Sequence, residues 1–153
     1  MRKATFGAGC FWCAEAAFKL LKGVVAVTPG YTEGIEVVQV EYDPALVSYT
    51  DLLKIFWEIH DPTQKNQQGP DIGTQYQAVI FTHDEEQKKL AEESKREVEK
   101  SIHPVYTEIR EFVRFYPAEE YHKDYYARNP DVPYSQIVIA PKVEKVKKML
   151  KNM

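Results

Sequence analysis

Apolar and polar positions alternate with two different periods along this chain, and the switches between them mark its elements. Residues 2–8 form a short apolar run ending in Gly7-Ala8-Gly9, which predicts a strand. Residues 10–21 set Phe11, Ala14, Ala17, Phe18 and Leu21 on one helical stripe, and Gly23 offers a stop. Residues 24–27 predict a second strand, with Pro29-Gly30 and Glu33-Gly34 punctuating the turn after it. Ile35 to Tyr42 is a Val-rich third strand closed by Asp43-Pro44. Ser48 or Thr50 is placed to cap a helix running to about His60, with Leu52, Leu53, Ile55, Phe56 and Ile59 as its apolar positions. Residues 61–75 are polar, and residues 76–82 predict a fourth strand. Beyond it come a charged helix over 84–101, a strand near 107–112, a short helix near 118–127 and a helix starting near Pro141. The order β-α-β-β-α-β predicts a two-layer α+β fold with a ferredoxin-like core and C-terminal helical additions. The 153 residues suit one domain with one core.

Composition narrows the function by exclusion. A net charge of -3 gives no bulk electrostatic reason to expect nucleic acid or anionic lipid as a partner. The apolar stretch after Met1-Arg2-Lys3 is too short for a secretory signal, and no run approaches the ~20 apolar residues of a membrane span. The expectation is a cytoplasmic protein that does not enter membranes.

Cys10 and Cys13 are the two cysteines. A disulfide between them would close almost no loop and so add little stability. That leaves redox chemistry, metal binding or two inert buried thiols. The pair follows a strand and opens a helix, which is a redox position. The unpaired N–H groups of a helix N-terminus favour a thiolate and predict a lowered pKa for Cys10. Gly9 permits the tight turn and leaves the first sulfur approachable. Cys13, three residues on, shares a helical face with Cys10 and is within reach of a sulfenic acid formed there. His60, His83, His103 and His122 show no zinc-like spacing, and no second cysteine pair exists.

Three further segments carry candidate chemistry. On the third strand Glu36 shares a face with Val38, Val40 and Tyr42. If that face packs inward, burial raises the carboxyl pKa and makes it a proton donor; if the strand end faces water, Glu36 is an ordinary surface charge. The loop over 61–75 is long for a compact domain and leads to the phenol of Tyr76. The stretch from Tyr116 through His122 to Tyr126 either lines a pocket or is a half-buried amphipathic helix.

These segments together resemble the A-type peptide-methionine sulfoxide reductase family. The resemblance rests on Gly9-Cys10-Phe11-Trp12-Cys13-Ala14-Glu15, Gly30-Tyr31-Thr32, Tyr42-Asp43-Pro44, Phe56-Trp57-Glu58 and His60-Asp61-Pro62. It continues through Asp71-Ile72-Gly73-Thr74-Gln75-Tyr76, Tyr116-Pro117-Ala118-Glu119-Glu120-Tyr121-His122 and Asn129-Pro130. It implies reduction of the S epimer of methionine sulfoxide, free or peptide-bound, as oxidative repair. Cys10 matches the attacking cysteine, Cys13 the resolving cysteine and Glu36 the acid. Phe11 and Trp12 match the wall that receives the methyl group, Tyr76 a phenol that holds the oxygen, and Asp71 a polar residue of the active-site loop. His122 falls in a matched motif at the same site. Neither metal nor organic cofactor is implied; thioredoxin or another dithiol would return the disulfide to the thiols.

The chain departs from the family between Tyr31 and Glu36, where many members carry a longer segment with a second oxygen-binding tyrosine. Tyr31, Tyr125 or a water is left to fill that role. The family's His-Ala-Glu is Gly34-Ile35-Glu36 here. Two rival readings stay open on the residues alone: a general thiol–disulfide exchanger, and a non-catalytic methionine- or peptide-binding module.

Overall fold

Phe6 marks where the core sits. The computed structural model describes residues 1–152, and in it Phe6 is fully buried on strand β1 (Arg2–Ala8). Its ring stacks on Phe18 at 5.1 Å and Phe56 at 5.3 Å. Those residues belong to helices α1 (Phe11–Phe18) and α2 (Tyr49–Glu58), so one ring ties both helices to the sheet. Ser48 caps α2: its hydroxyl accepts from the Asp51 N–H, and the Asp51 carboxylate accepts from the Ser48 N–H.

Strands β2 (Val24–Thr32) and β3 (Ile35–Tyr42) form a hairpin, and β3 then pairs antiparallel with β1. A two-stranded hairpin, β4 (Gln67–Gln68) and β5 (Asp71–Ile72), shapes the polar loop. Strand β6 (Ala78–Thr82) lies antiparallel to β1, and after helix α3 (Glu85–Glu99) strand β7 (Glu108–Glu111) pairs parallel to β6. A short β8 (Tyr116–Pro117) closes the far edge, giving a six-stranded mixed sheet in the order β7-β6-β1-β3-β2-β8. Helices α4 (Tyr125–Arg128) and α5 (Ala140–Lys151) complete an α+β fold. One sheet face, with Phe6, Val38, Val40 and Ile80, packs under α1, α2 and residues of α3 and α5. The other, with Ile35, Val37, Val79 and Phe81, is covered by Phe112 and Phe115.

Four boundaries differ from the sequence expectation. Helix α1 ends at Phe18, and residues to Leu21 continue as tight i→i+3 turns. Strand β2 runs on through Pro29-Gly30 to Thr32. Gly30 is required there because Phe115 and the Tyr116 carbonyl lie only 2.4 Å from where a Cβ would stand. Tyr76 precedes β6, closing a 3-10 turn at Thr74–Tyr76. The helix expected over 118–127 is a 3-10 turn, Glu120–His122, and then α4, broken where Asp124 takes φ 56°. No helix among the described residues is long and apolar enough to cross a membrane.

His60 is the buried polar joint between α2 and the segment that enters β7. Its Nδ1 lies 2.6 Å from the Phe56 carbonyl and its Nε2 2.9 Å from Thr107 Oγ1. The carbonyl only accepts, so Nδ1 carries the proton. Burial pushes the pKa down to about 4 from 6.5. A depressed histidine stabilises the fold fully above its unfolded value and loses that contribution as pH falls toward the folded one. Between pH 6.5 and 4 the loss should be roughly 3 kcal/mol. Urea unfolding of wild type and His60→Gln at both pH values checks it: the variant should lose much less on acidification.

Candidate active site

Strand β1 ends at Ala8, and Gly9 turns the chain with φ 87° so that Cys10 becomes the N-cap of α1. A Cβ on Gly9 would stand 2.6 Å from Gln68 Cβ. Gln68 is itself fixed: its amide accepts from the Asp61 N–H at 2.7 Å and donates to the Asp61 carbonyl at 2.8 Å. Gly9→Ala therefore meets both a left-handed backbone and a held side chain. It should cost roughly 2–4 kcal/mol of stability and displace Cys10. Thermal unfolding and activity of the variant check this.

Both thiols are free, and both are buried, Cys10 at 5 % and Cys13 at 1 % exposure. The sequence expectation of a lowered Cys10 pKa does not hold for the resting pair. The thiol–thiol hydrogen bond with Cys13 and burial push Cys10 up, more than the Trp12 N–H at the helix start brings it down. Cys13 is lowered, chiefly by the Cys10 S–H and further by the nearby Lys142 charge. The two sulfurs thus share a proton: Cys13 is the one that ionises, because the Cys10 S–H donates to it, and ionisation of Cys10 as well is suppressed. The expectation that the first sulfur stands open is corrected too. Tyr134 faces the pair, and its hydroxyl donates to Asp71 Oδ2 at 2.6 Å.

Glu36 lies on the inward face of β3 at 9 % exposure, so the inward alternative holds. Its Oε1 accepts from the Phe11 N–H at 3.3 Å, next to Cys10. Burial raises its pKa; the Phe11 N–H and the Gln75 side chain oppose that, and the Asp71 charge adds to it. The short β2–β3 connection turns on Glu33 and Gly34, whose φ of 53° and 75° suit a type I′ hairpin. The resulting register sets Tyr31 directly opposite Glu36 on the same face. Burial and the Glu36 charge raise the pKa of both Tyr31 and Tyr76, and Tyr76 also feels Cys10.

The other wall is aromatic. Trp12 stacks on Tyr125 with centroids 3.7 Å apart and planes 7° from parallel, and meets Tyr134 edge-on at 5.5 Å. Its Nε1–H donates to His122 Nδ1 at 3.1 Å. That leaves the His122 proton on Nε2, 3.3 Å from Glu119. Phe11 packs on His122 at 5.0 Å and on Tyr31 at 5.5 Å.

Each residue expected at the site from sequence is therefore gathered around the start of α1: Cys10, Phe11, Trp12, Cys13, Tyr31, Glu36, Asp71, Tyr76, His122 and Tyr125. Sequence reasoning missed Tyr134, Gln68 and Gln75. The hint for Tyr134 was its place shortly after Asn129-Pro130, beside a segment already rich in tyrosine. Nothing in the sequence pointed to Gln68 covering Gly9.

Fold and site together define an α+β oxidoreductase with paired thiols, a buried carboxyl and an aromatic wall. The family model described as "Peptide methionine sulfoxide reductase" matches residues 2–153. A "Peptide methionine sulfoxide reductase MsrA" from Thermus thermophilus is 48 % identical, covering 98 % of this chain and 96 % of its own length. Among solved structures, reduced Mxr1 from Saccharomyces cerevisiae superposes with a TM-score of 0.78 at 32 % identity, covering 86 % of this chain and 87 % of that one. Mxr1 in complex with Trx2 matches with a TM-score of 0.62 at 28 % identity, covering 81 % and 84 %. The chain belongs to the peptide methionine sulfoxide reductase family, in its A-type branch. It is a peptide-methionine (S)-S-oxide reductase, returning oxidised methionine to methionine.

Proposed function

We propose that the reaction runs through Cys10 and is recycled through a Cys10–Cys13 disulfide. The sulfoxide methyl group rests against Phe11 and Trp12, with Tyr125, His122 and Tyr134 completing the wall and Asp71 fixing Tyr134. The oxygen points toward Glu36, where Tyr76 and Tyr31 donate hydrogen bonds to it. Tyr31 takes the place of the tyrosine lost with the shortened segment, a reading supported by its position across from Glu36.

The shared proton moves to Cys13, and the Cys10 thiolate attacks the sulfoxide sulfur. Glu36 delivers a proton to the oxygen. The new bond between Cys10 and the substrate sulfur then breaks together with the sulfur–oxygen bond as the hydroxyl passes to the Cys10 sulfur, so methionine leaves with its lone pair restored and Cys10 holds the oxygen as a sulfenic acid. Cys13 then attacks the Cys10 sulfur, its thiol proton leaves with the hydroxyl as water, and the disulfide forms. An external dithiol, thioredoxin in our reading, is oxidised as it returns both thiols. The capture of the relative Mxr1 with Trx2 supports that choice of reductant. We also read β1-α1-β2-β3-α2-β6, with strand order β6-β1-β3-β2, as a ferredoxin-like core in a single domain.

One observation carries the mechanism: a buried carboxyl bonded to the Phe11 N–H, immediately beside a cysteine whose neighbour lies one helical turn away. The test is turnover of each separated sulfoxide epimer with thioredoxin or dithiothreitol. The S epimer should be consumed with both reductants. Turnover sustained by dithiothreitol but not by thioredoxin would remove thioredoxin from the scheme, and turnover of the R epimer would overturn the placing of methyl and oxygen.

A further inference from the structure

Glu15 is a buried carboxylate that the reaction does not use. It sits on α1 three residues after Trp12, so the two side chains share a helix face. It is 2 % exposed. Both of its oxygens accept from the backbone N–H of Asp124, each at 3.0 Å. Lys19, one turn on, approaches Glu15 at 3.5 Å and also pairs with the Asp124 carboxylate.

The gripped residue is the break in the chain described above. Asp124 has φ 56° and ψ 32°, a left-handed conformation that is uncommon for non-glycine residues and that aspartate tolerates better than most. On either side of this break stand the partners of Trp12. His122, two residues before, accepts the indole N–H, and Tyr125, the next residue, stacks on the indole face. A continuous helix through 118–127 would carry these two side chains on a different spacing.

We infer that Glu15 is a positioning residue for the substrate wall: by holding the Asp124 N–H it fixes the left-handed break that sets His122 and Tyr125 against Trp12. Helix α1 thus grips one segment twice, with the Trp12 ring and with the Glu15 carboxylate. Glu15 touches neither substrate nor sulfur; its effect reaches the sulfoxide through the wall. The inference rests on the reading of Trp12 as the methyl-binding surface.

A single-turnover assay separates the possibilities, because it reads binding and chemistry before recycling begins. The enzyme carries Trp57→Phe, so that fluorescence reports Trp12 alone. Glu15→Ala should raise the half-saturating sulfoxide concentration about tenfold, change the maximal first-turnover rate less than about threefold, and shift Trp12 emission to the red. Glu15→Asp keeps the charge but draws the carboxylate back by one methylene; it should move in the same direction by a smaller factor, and it decides the matter if the alanine variant does not fold. Glu15→Gln, whose amide oxygen still accepts from Asp124, should stay within about threefold of the parent. Parental half-saturation and emission in both Glu15→Ala and Glu15→Asp would overturn the inference, as would a glutamine variant as weak as the alanine one. Trp12→Ala tests the underlying reading separately: unchanged half-saturation there would sink the wall itself, whereas a rise there with none in the Glu15 variants would sink only the clamp.

Discussion

Cys10→Ser is expected to lower methionine formation by roughly three orders of magnitude or more, whereas Cys13→Ser should still yield one methionine per chain and then stop with thioredoxin as reductant. The difference follows from where the two sulfurs sit. Cys10 caps α1 beside the Phe11 N–H that carries Glu36, so in the proposed mechanism the acid serves that sulfur and not its neighbour. Cys13 lies one turn deeper, among Ile139 and Val143, where it meets Cys10 but not the oxygen site. Once Cys13 is gone the sulfenic acid has no thiol to collapse upon, and a protein disulfide reductase finds no disulfide. Quantifying methionine in a rapid-mix experiment, and again over many turnovers, checks both variants. A Cys13→Ser enzyme that forms no methionine in its first turnover would reverse the assigned order of the cysteines.

Glu36→Gln should slow the first turnover by about 10²- to 10⁴-fold and change its pH dependence. Burial raises the Glu36 pKa above the ordinary 4.5. The donor is the protonated form, so the wild-type rate should fall as pH rises through the folded pKa of Glu36. The requirement for a thiolate in the Cys10–Cys13 pair acts in the opposite direction, and together they predict a bell-shaped profile. Gln cannot donate an acidic proton and does not titrate, so the alkaline limb should vanish in the variant. Stability should move the other way from activity. A carboxyl with a raised folded pKa contributes stability below its unfolded pKa and loses it as pH rises through the folded pKa. At neutral pH wild type must bury a charge that the neutral amide of the variant lacks, so Glu36→Gln should gain about 1 kcal/mol there. Stopped-flow rates and denaturant unfolding between pH 5 and 9 measure both effects. An unchanged rate across that range would discard Glu36 as the acid.

The elements that sequence reveals best here are those with one dominant period. Strand β3 alternates well enough to place Glu36 on one face with Val38, Val40 and Tyr42, although alternation alone does not say whether that face is buried. Helix α2 declares both its cap and its apolar stripe. Local signals failed where tertiary contacts overrode them. Pro29-Gly30 reads as a turn but stays in β2, because Phe115 and Tyr116 need the space a side chain would fill. The tyrosine-rich stretch reads as a helix but breaks at Asp124, whose N–H is taken by Glu15, more than a hundred residues earlier. At the site, the cysteine pair was visible as spacing, while its electrostatics were not. A helix N-terminus alone argues for an acidic Cys10; the structure buries both sulfurs and makes them hydrogen-bond each other, so the lowered pKa falls on Cys13 and that of Cys10 is raised. Tyr134 lay outside the segments whose chemistry stood out, and it comes to the sulfurs only because the chain over Ser135–Ile139 folds back above them.

The most direct measurement of the mechanism is the mass of the Cys13→Ser protein after mixing with the S epimer of methionine sulfoxide, followed by peptide mapping with a sulfenic-acid trap. The Cys10 peptide should carry the transferred oxygen, captured by the trap, in proportion to the methionine released. A Cys10 peptide left unlabelled while methionine appears, or the label found elsewhere, would contradict oxygen transfer to Cys10.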